Sequence, residues 1–135
     1  MSENTIPPLN KRTPLFRPGR VTATSGALDL IDRSVVSAIS LIKRHILGDF
    51  GECGDYYDAV DITDNDRDYR AISKSEDLKR NILAIQHKNG SRIMSAYRIG
   101  TTPVEGETDA RPTVLVVGYW GSTDDHTSIL LPSEY

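Results

Sequence analysis

The residues best equipped for chemistry gather at Arg44-His45-Ile46-Leu47-Gly48-Asp49-Phe50-Gly51-Glu52, where a histidine, two carboxylates, an aromatic ring and two glycines follow an apolar run. His45 and Asp49 stand four apart across a helix end, a spacing at which the carboxylate can orient the imidazole and raise its pKa for general-base work. A phosphoryl-transfer reading adds Arg92 and Tyr97, or His87, because RNA cleavage needs a base, an acid and a cation for the developing charge. The structural reading is stronger. A histidine in a last helical turn commonly meets the terminal carbonyls, an aspartate after a glycine commonly bonds turn amides, and no nucleophile stands beside the pair. No catalytic residue is assigned on sequence; His45, Asp49, Arg92 and Tyr97 form the alternative set.

The chain turns acidic after Gly48. Asp49, Glu52, Asp55, Asp58, Asp61, Asp64, Asp66 and Asp68 fall within twenty residues, countered there only by Arg67. The three-residue spacing of Asp55, Asp58, Asp61 and Asp64 can imitate a row of phosphates and enter a basic groove on a partner. Tyr56 and Tyr57 can anchor such an interface, since aromatics carry much interface energy; the plainer expectation for an acidic loop is solvation. Asp64-Asn65-Asp66-Arg67-Asp68 starts like a calcium loop, but Tyr69 stands where the loop needs glycine and Glu76 falls one residue late. His45, Cys53 and His87 lack zinc spacing. No metal or cofactor is expected.

Composition narrows the function classes. Sixteen Lys and Arg against nineteen Asp and Glu leave a formal charge of −3 over 135 residues, which argues against general nucleic-acid binding. That length suits one domain burying roughly two thirds of its unfolded surface. A single cysteine, Cys53, fits a reducing, cytoplasmic setting. No apolar run approaches the roughly eighteen residues of a membrane span. Residues 1–19, with four prolines among polar side chains, lack the apolar core of a signal peptide and read as a flexible arm carrying a weak cationic charge.

The positioning elements follow from periodicity. A short strand is expected at 20–24, and a helix from Gly26 capped by Thr24 or Ser25. Ser34 is expected to cap a longer helix whose buried stripe is Val35, Ile39, Ile42 and Ile46, widened by Val36, Ala38 and Leu41 and ended by Gly48. A further helix is predicted over 75–87, then strands at 93–99, 113–120 and 127–131 separated by a polar loop at 100–112 and a turn at 123–126. The fold class is α+β: two to three helices on one face of an antiparallel sheet of three to four strands, a single domain over 20–135 with an acidic insertion at about 53–74.

Four blocks carry a resemblance: Val21-Thr22-Ala23-Thr24-Ser25-Gly26-Ala27-Leu28, the stretch from Arg44 through Gly51, Ser91-Arg92-Ile93-Met94-Ser95-Ala96-Tyr97, and Thr127-Ser128-Ile129-Leu130-Leu131-Pro132-Ser133-Glu134-Tyr135. In this order they resemble a family of small uncharacterised proteins carried on bacterial plasmids, integrated elements and phages, whose pattern runs His-x-x-Gly-Asp-Trp-Gly, an Asn-containing helix (Asn81 here), Arg-Ile-Leu-Ser-Ala-Tyr, Leu-Leu-Pro-Glu-Glu-Tyr. Phe50 replaces the family's tryptophan, and the segment 119–126 lacks its charged run. The resemblance implies a genomic setting, not a mechanism. The expectation is a non-enzymatic accessory protein of a mobile element that binds a host or element-encoded protein, in concrete form an inhibitor of a host defence factor. The alternative is a small RNase-like toxin using His45 with Arg92.

Overall fold

Two hydroxyls decide where the first helices begin. In the computed structural model, which describes residues 7–60, 76–99 and 112–135, Thr24 is extended and its Oγ1 accepts from the Ala27 amide at 3.1 Å, opening α1 (Ser25–Asp32). Ser37 and Ser40 cap each other reciprocally and open α2 (Ala38–Ile46). The expected start at Ser34 is corrected: its hydroxyl donates to the Ile31 carbonyl at 2.8 Å and accepts from the Val36 amide, closing α1 rather than opening α2. The expected stripe moves with it. Val35 precedes the helix and is 96% exposed, Ile39 is 70% exposed, and the buried line of α2 is Leu41 and His45.

The sheet comprises β1 (Arg20–Ala23), β2 (Arg92–Arg98), β3 (Thr113–Tyr119) and β4 (His126–Leu130), in the order β1-β4-β3-β2. β2, β3 and β4 form the expected antiparallel meander, while β1 lies parallel to β4 and makes the sheet mixed. A parallel neighbour needs a long crossover, and the helices between β1 and β2 together with the meander supply it.

Alternation then sets two faces. Ile93, Ser95 and Tyr97 stand opposite Gly118, Val116 and Val114, and Thr127 and Ile129 continue the row on β4. α1 and α2 pack Ala27, Ile31 and Leu41 against this row. A second apolar cluster joins Leu78, Ile82 and Ile85 of α4 (Glu76–His87) to Phe50, Cys53 and Ile93. Phe16 completes it, 4% exposed. Residues 7–19, read from sequence as an arm, are tied down by that ring and by the Leu15 amide, which donates to the Ile46 carbonyl at 2.8 Å.

β2 is an edge strand whose outer backbone groups are covered. The fully buried Asn81 side chain donates to the Met94 carbonyl at 2.7 Å and accepts from the Met94 amide at 2.8 Å. Two residues on, the Ala96 amide donates to the Phe50 carbonyl and the Glu52 amide donates to the Ala96 carbonyl. The edge therefore offers no free template there. The short helix α3 (Tyr56–Val60) follows this contact. No helix among the described residues is long and apolar enough to cross a membrane.

Candidate functional site

The junction after α2 is the natural place to look for a site, and its geometry assigns each group elsewhere. His45 is wholly buried, its Nδ1 2.6 Å from Ser95 Oγ and its ring edge-on to Phe16 at 5.2 Å between centroids. Its Nε2 is buried and has no hydrogen-bond partner among the described residues. Burial lowers the His45 pKa from 6.5 to about 3, so the ring is neutral. A base needs access to the proton it takes, and this imidazole has none.

Asp49 faces the other way. Gly48, at φ +91°, turns the chain out of the helix; Asp49 Oδ2 then accepts from Arg44 Nε at 2.8 Å, and Oδ1 from the Gly51 amide at 3.1 Å. The expected His45–Asp49 pair is not formed, because the turn between them separates the carboxylate from the buried helix face. Tyr97 donates its hydroxyl to the Asp49 carbonyl, lies beneath the Arg44 guanidinium at 4.3 Å, and is held well above its usual pKa chiefly by burial. Arg92 alternates with Ser95 along β2 and so lies on the face opposite the one His45 meets. It donates to Tyr135 Oη at 2.6 Å and to Asp77 at 3.4 Å. His45 and Arg92 cannot act on one substrate from opposite faces, so the RNase-like pairing lacks a shared site.

The binding residues read from the acidic stretch divide. Asp55 accepts from Arg12 at 2.9 Å and from the Tyr57 amide at 2.9 Å. Tyr57 stacks under Arg12, 4.8 Å from its guanidinium carbon, and meets Tyr56 edge-on. These groups pin α3 to residues 7–19 instead of standing free. Asp58 is exposed; Asp61 and Asp64 lie outside the described residues. Among the described residues no three His, Cys, Asp or Glu side chains converge as a metal ion requires.

The same pinning creates a groove that periodicity did not reveal. Leu9, Arg12 and Pro14 face Lys43, Ile46 and Leu47 across a space of about 660 Å³. The cations differ. Arg12 and Arg44 are neutralised by Asp55 and Asp49, whereas Lys43 has no ion-pair partner among the described residues. Ile39 lies one turn before Lys43 on the same helical face, exposed to 70%. The signal was present as an excess: α2 is apolar on more of its circumference than one core contact uses. Comparison with family models, with curated proteins and with solved structures returns no match.

Proposed function

We propose that the protein is a non-enzymatic binding module whose groove between residues 9–14 and α2 receives an apolar, acidic segment of another protein. The observation that carries this reading is the apolar groove beside Lys43, which has no ion-pair partner among the described residues, with the solvent-facing Ile39 one helical turn before it on α2. An exposed isoleucine near an apolar groove adds apolar surface that a partner can cover, and an ammonium without an ion-pair partner among the described residues can meet a carboxylate on that partner. The commitment of His45, Asp49 and Tyr97 to internal contacts supports binding over catalysis. The sequence resemblance supports an accessory role on a mobile element, and a host defence factor is the target we propose for it.

The double variant Ile39→Asp/Lys43→Glu keeps the fold by circular dichroism and melting temperature, since both side chains are exposed. Affinity capture from host cells, compared side by side with wild type and with Asp58→Asn/Asp61→Asn/Asp64→Asn, should lose a specific protein only in the groove variant. Identical capture by wild type and groove variant refutes the groove; loss only in the aspartate variant returns the interface to the acidic stretch.

A further inference from the structure

A second site lies where α4 hands over to β2. Arg80, Leu83, His87, Asn89, Ser91 and Arg92 border a cleft of about 400 Å³. We propose that this cleft binds the phosphate group of a small phosphomonoester, independently of the α2 groove.

Donor count is the first argument. Arg80 is exposed on α4, and none of its five N–H groups is taken by a partner among the described residues. Arg92 is already placed by Tyr135 and Asp77, which removes much of the entropy of ordering it on a ligand. Ser91 donates both its amide and its hydroxyl to Asn89 Oδ1, at 3.1 and 2.6 Å. That double contact fixes the Asn89 amide and leaves its Nδ2 to donate elsewhere. Two guanidiniums, one oriented amide and the His87 ring exceed what a two-oxygen carboxylate can accept; three terminal phosphate oxygens match them.

Sign and size are the second argument. The chain carries a net −3, yet among the described residues no carboxylate lines this cleft; Asp77, paired with Arg92 at 3.4 Å, offsets part of that one cation, and Arg80 carries the remaining charge. A polyanion would meet the acidic remainder of the surface, whereas a small ligand fits within the cleft, whose volume lies in the small-molecule range. Leu83, 42% exposed, offers apolar surface to the organic part of an ester.

The test is a titration of the uniformly ¹⁵N-labelled full chain with inorganic phosphate, adenosine 5′-monophosphate and O-phosphoserine, with adenosine and serine as controls. Saturable shifts at the Asn89 and Ser91 amides with either ester, and none with the controls, are expected. Arg80→Gln should weaken the response about tenfold, as loss of a charge-assisted contact does, while Lys43→Gln leaves it unchanged. Saturation by inorganic phosphate alone removes the ester from the proposal. No saturation by any probe, equal binding by Arg80→Gln, or an equal response to adenosine or serine overturns it.

Discussion

His45 shows how one residue's environment decides its chemistry. Its neutral form is enforced by burial, with a folded pKa of about 3 against an ordinary 6.5. As pH falls below 6.5 the unfolded chain takes up a proton that the folded chain refuses, so stability is full above that value and declines through the window toward 3. Between pH 6.5 and 5 this single group should remove about 2 kcal/mol, at about 1.4 kcal/mol per pH unit. Urea unfolding of wild type and His45→Leu at several pH values checks it: the variant should show the shallower slope, and parallel slopes would contradict a buried neutral ring. Cys53 is the companion case. Burial first, and the Asp77 carboxylate second, push its thiol up to about 11. A thiol reagent at pH 8 should therefore label the native protein far more slowly than the urea-unfolded chain.

At the scale of elements, the edge of β2 is the most demanding feature. Asn81 makes both of its bonds to Met94 in full burial. Asn81→Leu should destabilise by about 3 kcal/mol, because two backbone groups lose their partners in a dry site, and the urea midpoint should drop at constant m-value. Gly51→Ala should be comparably harmful: φ is +65° and a Cβ would sit 2.1 Å from the Ala96 carbonyl oxygen. Much of this level was legible in advance. Strand and helix ends at 20, 76, 92, 113 and 126 fall within a residue of the expected ones, since alternation and helical spacing are local properties. The face of α2 was not legible, because three nearby serines can each cap a helix and only tertiary contacts choose Ser37. The site fared likewise: spacing suggested that His45 and Asp49 meet, but Gly48 leaves the helix at φ +91° with Leu15 and Tyr56 packed close about it, a long-range arrangement that spacing does not show. Asn81 and Arg92 were visible as residues, and their roles at an edge and a cleft were not, because pairing order is nonlocal.

For the whole molecule, residues 7–19 belong to the folding unit. Phe16 packs on His45 and Trp120, and Arg12 reaches the Leu47 carbonyl and Asp55. Phe16→Ala should cost about 3 kcal/mol, the range for emptying an aromatic site in a core, whereas a loosely attached arm would show under about 0.5 kcal/mol; thermal melts of the two proteins decide. Charge is also unevenly shared: in a chain of net −3, Lys43 on α2 and Arg80 on α4 have no ion-pair partner among the described residues. Finally, β1 finds its partner only through β4: Thr22 and Ser128, hydrogen-bonded across the pair, are 106 positions apart. On the ribosome the first strand must therefore wait, unpaired, until nearly all the residues described here have emerged. β1 can join the sheet only late in synthesis, and its pairing across most of the chain adds the nonlocal kind of contact that slows folding.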